Sequence, residues 1–147
     1  MEVLSQLGRN NVLWVSILSW CIAQLLKVIF TVLKYKKLDF SRLVGSGGMP
    51  SSHSSFVMAL AVGVGKVSGF DTPIFAFAIV FAFVVMYDAS GVRRAAGKQA
   101  EILNKIIEEM KHQQFNLDGK LKELLGHTPK EVFAGAILGI IIASIMV

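Results

Sequence analysis

VLWVSILSWCIAQLLKVIFTVL, residues 12–33, runs for twenty-two residues with one charge, Lys27. At 1.5 Å per residue a helix of that length reaches about 33 Å, enough to cross the roughly 30 Å of hydrocarbon in a bilayer. The stretch is therefore read as a membrane helix, and the composition agrees. The chain has 147 residues, 54% of them hydrophobic and 17% charged, with a mean hydropathy of +0.60. That is more apolar and less charged than a soluble domain, and it excludes disorder, a collagen-like chain and a nucleic-acid-binding tail. The net charge of +5 on so apolar a chain points to anionic lipid head groups as partners, not to nucleic acid. The length suits one membrane domain covering 1–147. A lone Cys21 excludes an intrachain disulfide, a cysteine zinc site and a CxxC redox pair.

Upstream, MEVLSQLGRNN has a weakly basic end and no small-residue cleavage site, so the first helix is expected to be retained. Downstream, KYKKLDFSRLVGSGGMPSSHSS is basic, then glycine-rich, and breaks the apolar pattern as a loop does. A second apolar helix is expected from Ser52 to about Val67, short for a full crossing, with Gly63 and Gly65 as close-packing positions. After the turn SGFDTP, Ile74 to Met86 reads as an aromatic-rich third helix with Tyr87 as its interfacial anchor. Hydropathy then falls, and two amphipathic segments follow, one carrying Ile102, Leu103, Ile106, Ile107 and Met110, the other Leu117, Leu121, Leu124 and Leu125. Val132 to Val147 is a fourth apolar helix, with Gly135 and Gly139 in GxxxG spacing. The expectation is an all-α integral membrane protein of about four transmembrane helices plus an amphipathic helical insertion at about 98–125.

Three segments concentrate unusual residues, and with four spans all three fall on one face. GSGGMPSSHS, residues 45–54, delivers Ser51, Ser52 and His53 to a helix start, where free N–H groups and the dipole favour a phosphate; the plain alternative is that a serine only caps the helix. His53 could pass a proton to a leaving oxygen. YDASGVRRAAGKQ, residues 87–99, sets Asp88, Arg93 and Arg94 directly after a membrane helix; guanidinium forks match phosphate oxygens, or they anchor the helix by the positive-inside rule. In GHTPKEVFAG, residues 126–135, Thr128, Pro129 and Glu131 form a capping box. His127, just outside it, is a candidate nucleophile, because a neutral imidazole can attack phosphorus when a carboxylate holds its other proton.

Taken together, GGMPSSHS, YDASGVRRAAGKQA and GHTPKEVFAG resemble the short divergent branch of the type 2 phosphatidic acid phosphatase and vanadium haloperoxidase superfamily. PSSH at 50–53 is similar to that superfamily's PSGH, and HTPKE to its H-x-x-x-D. The resemblance implies that His127 forms a phospho-histidine, that Glu131 orients it, and that His53 is the acid for the leaving alcohol. It also implies that Ser51, Ser52 and Arg93 hold the phosphate oxygens, with Arg94 an equal match for Arg93. The chain departs from the pattern in three ways. Arg93 and His127 are 34 positions apart where the superfamily has six, which makes the amphipathic stretch an insertion. Lys27 stands where a K-x6-R-P motif begins, but Lys34 replaces its arginine and no proline follows, leaving Arg42 as a rival clamp. Glu131 replaces an aspartate.

The expected function is a membrane phosphatase acting on a lipid phosphate or isoprenyl diphosphate through a phospho-histidine, with no metal and no cofactor. The alternatives are a catalytically silent lipid-phosphate binder or carrier, and a structural membrane subunit. Two spans fewer than the superfamily's usual six suggests a homodimer that completes the core. The expected location is the bacterial plasma membrane or an organelle membrane of bacterial origin. Loops 34–51 and 90–130 hold twelve of the fifteen Lys and Arg, which puts them and the site in the cytoplasm, whereas the resemblance implies an extracytoplasmic site. Without Arg42, Arg93 and Arg94 the charge count is still nine against two, so the cytoplasmic face is taken.

Overall fold

Asn10 both ends one helix and starts the next: its side chain accepts the Leu13 N–H at 3.1 Å, so the chain restarts there as a long apolar helix. The computed structural model describes residues 2–36, 48–112 and 126–147, with the side chains at 34, 35, 93, 94 and 109–112 excepted. Its helices are α1 (Glu2–Arg9), α2 (Asn11–Tyr35), α3 (Ser52–Ser68), α4 (Pro73–Ser90), α5 (Val92–His112) and α6 (Pro129–Met146). There is no strand among the described residues. α4 and α6 begin alike, on a threonine N-cap followed by a proline, Thr72-Pro73 and Thr128-Pro129. The hydroxyl takes an orphan N–H and the proline occupies a position that needs none.

Among the described residues three stretches are long and apolar enough to cross a membrane: Asn11–Leu33, the run from Pro73 through α4 into α5, and Pro129–Met146. The remaining expected span, α3, has 17 residues and stands in the interior, with α2, α4 and α6 all packed against it. Its composition suits that place. Ser52, Ser54, Ser55, Ala59, Ala61, Gly63 and Gly65 are all buried, small enough for close packing and shielded from lipid by the other helices. Aliphatic contacts fill what remains, with Val57, Met58, Ala61, Ala78, Ala82 and Ala136 in one cluster and Val15, Ala59, Ile142 and Ala143 in another. Large side chains such as Phe77, Phe83 and Ile145 face outward, as lipid-facing positions do.

The α6 glycines set how close α6 comes to α3. A Cβ at Gly135 would collide with the Ser51 carbonyl oxygen, and one at Gly139 with that of Ser55. Only hydrogen fits at either place, so the GxxxG pair lays α6 directly on the α3 backbone.

Two elements differ from the sequence reading. α1 was not expected, since nothing but Asn10 separates it from α2. The amphipathic insertion begins earlier than 98: Gly91 alone separates α4 from α5. The Gly91 N–H donates to the Tyr87 carbonyl and the Ala95 N–H to that of Gly91, so helical hydrogen bonding continues across the junction. The second amphipathic segment, 117–125, lies outside the described residues.

Candidate functional site

Three helix ends meet at one place. The Ser51 N–H, at the start of α3, donates to the Glu131 carbonyl in the first turn of α6 at 2.9 Å. The His127 N–H donates to the Ala89 carbonyl, in the last turn of α4, at 3.1 Å. Together with the Gly135 contact, these bonds fix the segment before α6 against the ends of α3 and α4. His127 is only 1% exposed as a result.

The capping box does more than start the helix. The Glu131 N–H donates to Thr128 Oγ1 at 3.4 Å, and Glu131 Oε2 accepts the Thr128 N–H at 2.9 Å. The same Oε2 lies 3.3 Å from His127 Nδ1. A carboxylate oxygen only accepts, so Nδ1 carries the ring proton and Nε2 keeps its lone pair. Nε2 is buried and has no hydrogen-bond partner among the described residues. Burial pushes the His127 pKa down, and the nearby Lys27 and His53 push it further, against the hydrogen bond and charge of Glu131 that hold it up. The net shift is downward, so the ring is neutral at pH 7. The His53 ring stands edge-on to it, centroids 6.2 Å apart.

Lys27 reaches this place from α2. It is 1% exposed, and its stem is covered by Gly48, whose φ of +93° and lack of a side chain allow the approach: a Cβ there would come within 3.0 Å of Lys27 Cγ. Ser51 is the α3 N-cap, its Oγ accepting from both the N–H and the hydroxyl of Ser54. Ser52, the first residue of α3, is buried beside it. A cation, a helix N-terminus, two hydroxyls and two imidazoles thus share one buried corner, an arrangement suited to an oxyanion such as phosphate.

Of the residues singled out in the sequence, the fold gathers His127, His53, Glu131, Lys27, Ser51 and Ser52. Asp88 is half-buried in the last turn of α4, one residue before the carbonyl that holds His127. The backbone of Arg93 and Arg94 lies in the first turn of α5, and their side chains, like all of Arg42, lie outside the described residues. Sequence reasoning missed Gly48 and the Ala89 carbonyl. A glycine run before a helix gives no sign of which lysine it will cover, and a carbonyl has no sequence signature. Among the described residues no three His, Cys, Asp or Glu side chains converge as a metal site would require.

The profile of the Divergent PAP2 family matches residues 8–142. An uncharacterized membrane protein of Bacillus subtilis (strain 168), YuiD, is 40% identical over 152 aligned positions, covering 96% of each chain. No solved structure matches.

Proposed function

The chain belongs to the Divergent PAP2 family, and from that membership and the corner built around His127 we propose that this integral membrane protein is a phosphatase acting on a lipid phosphate or isoprenyl diphosphate. The observation that carries the reading is the state of His127: one ring nitrogen is held by a carboxylate, the other is buried with its lone pair directed to no described partner. A surface histidine has no use for such an arrangement, whereas a nucleophile needs it.

In the reaction, His127 Nε2 attacks phosphorus and forms an N–P bond while the bond from phosphorus to the leaving oxygen breaks. His53 gives that oxygen a proton, so an alcohol, or a monophosphate from a diphosphate, departs. Glu131 stabilises the positive charge that grows on the His127 ring. Water then attacks phosphorus, His53 takes its proton, the N–P bond breaks, and inorganic phosphate leaves with His127 neutral again. Lys27, the Ser51 hydroxyl and the first N–H groups of α3 stabilise the charged equatorial oxygens, with Arg93, Arg94 or Arg42 as further cations. The groups are fixed before substrate arrives, so little reorganisation is needed at the transition state. The site opens to the cytoplasm, on the charge count of the loops.

The test is phosphate release in detergent from a panel of lipid phosphates and diphosphates, with EDTA present. Release is expected from wild type and from Cys21→Ala, and it is expected to vanish in His127→Ala and fall in His53→Ala. Folded protein that binds these lipids and releases phosphate from none of them overturns the proposal in favour of a silent binder. Cysteine labelling of loop positions in intact cells tests the facing, and labelling from outside alone would reverse it.

A further inference from the structure

α4 has 18 residues, about 27 Å of helix, so it uses up the hydrocarbon thickness by itself and ends at the head-group boundary. Exposed Tyr87, in its last turn, is a residue type that anchors helices at that level. α5 starts two residues after α4 ends and is 21 residues long. It must therefore either run along the boundary or project into water. Its side chains distinguish the two. At 100° per residue, Val92, Ile102, Leu103 and Ile106 fall within roughly 100° of arc, and all four are exposed. Lys98 and Lys105 border the stripe on its Ile102 side and Glu101 lies opposite it, all three exposed, with Lys105 and Glu101 paired at 2.8 Å. Asn104, between these two faces, is the one buried residue among those described in α5. The protein thus covers a flank of α5 and leaves its apolar stripe bare.

We propose that α5 lies in the membrane–water boundary, with Ile102, Leu103 and Ile106 among the acyl chains and Lys98 and Lys105 at the level of the lipid phosphates. The occupant of the stripe is the bilayer because α5 is continuous, through Gly91, with a helix already in it. The charge pattern agrees, since lysines bordering an apolar stripe reach up to anionic head groups while their stems stay in the boundary, as in other interfacial helices. The inference does not depend on the phosphatase reading. It does set the convergence of α3, α4 and α6 at head-group depth, where the phosphate of a lipid resides.

The experiment is depth measurement on the full chain in vesicles of phosphatidylcholine and phosphatidylglycerol at roughly 7:3, an anionic fraction chosen for the bordering lysines. In a Cys21→Ala background, Leu103→Cys, Ile106→Cys, Glu101→Cys and Lys105→Cys are made singly and labelled with an environment-sensitive fluorophore. All four positions are exposed, so labelling leaves the bundle intact. Labels at 103 and 106 are expected to emit blue-shifted and to be quenched severalfold more by brominated lipid than by iodide, with the reverse at 101 and 105. Equal iodide quenching on both faces would show α5 projecting into water. Labels at 103 and 106 shielded from both quenchers would show a protein surface, such as a second copy, covering the stripe. Either outcome overturns the proposal.

Discussion

Gly135→Ala tests the packing on which the site depends. An added Cβ would overlap the Ser51 carbonyl oxygen and stand 3.0 Å from the Ser51 carbonyl carbon and 3.1 Å from its nitrogen. These are backbone atoms, so no rotamer change relieves the contact and α6 must move off the start of α3. Overpacking of this kind costs about 1–3 kcal/mol. Moving α6 also stretches the 2.9 Å bond from the Ser51 N–H to the Glu131 carbonyl, worth about 1 kcal/mol more. A loss of about 2–4 kcal/mol is expected, read by SDS unfolding followed through the fluorescence of Trp14 and Trp20. The displacement separates His127 from His53 and Ser51, and a shift of about 1 Å at a catalytic group is enough to cost ~10²-fold in rate. Gly8→Ala is the control, because a Cβ there meets nothing within 4 Å and the helix α1 gains up to about 1 kcal/mol from alanine. If Gly135→Ala unfolds at the same SDS fraction as Gly8→Ala and keeps full phosphate release, the argument that glycine sets the approach of α6 is wrong.

Other expectations concern protons and hydrogen bonds. The His127 pKa is lowered, so the acid limb of kcat/KM belongs below pH 6.5, the value an unperturbed histidine has. The same shift makes His127 favour folding above that value and lose this contribution as pH falls through its folded pKa. Lys27→Met removes a charge that lowers this pKa and should move the limb to higher pH, whereas Glu131→Gln removes one that raises it and should move the limb lower; pH profiles of the two variants check both signs, and a shared direction would refute the assignment. Thr128→Ala deletes an N-cap worth about 0.5–2 kcal/mol and loosens the carboxylate on His127, so stability in SDS and kcat should fall together. Ser19 and Ser55 share a buried hydroxyl pair at 2.6 Å, and an alanine double-mutant cycle should return about 0.6–1.7 kcal/mol of coupling.

Periodicity and capping chemistry made much of this architecture legible. Residues 12–33 read as a helix because one charge in twenty-two leaves no other economical structure in lipid, and Thr128-Pro129 with Glu131 marked the start of α6 to the residue. Gly135 and Gly139 announced close packing, though not that its target was the backbone of α3. Three matters were not legible. An apolar window cannot tell a lipid-facing helix from one enclosed by its neighbours, so the interior place of α3 stayed hidden. The third apolar helix read as ending at Met86, whereas backbone hydrogen bonds at Gly91 carry the helix on into α5. Lys27 matched the start of the K-x6-R-P motif, which placed it in a span and said nothing of its surroundings. Its burial beside His127 depends on Gly48, twenty-one positions away, and such a meeting is decided in three dimensions.

Glu131 Oε2 answers to two masters, the Thr128 N–H and the His127 ring. Both lie on the same short peptide, and the carboxylate reaches them because three and four residues make about one helical turn. Adding or removing one residue between His127 and Glu131 would turn the carboxylate by about 100° around the axis, uncapping α6 and releasing the imidazole at once. The composition of this pentapeptide is open to change at Lys130, which faces outward, but its length is not. In homologous chains, gaps should accumulate elsewhere and never here.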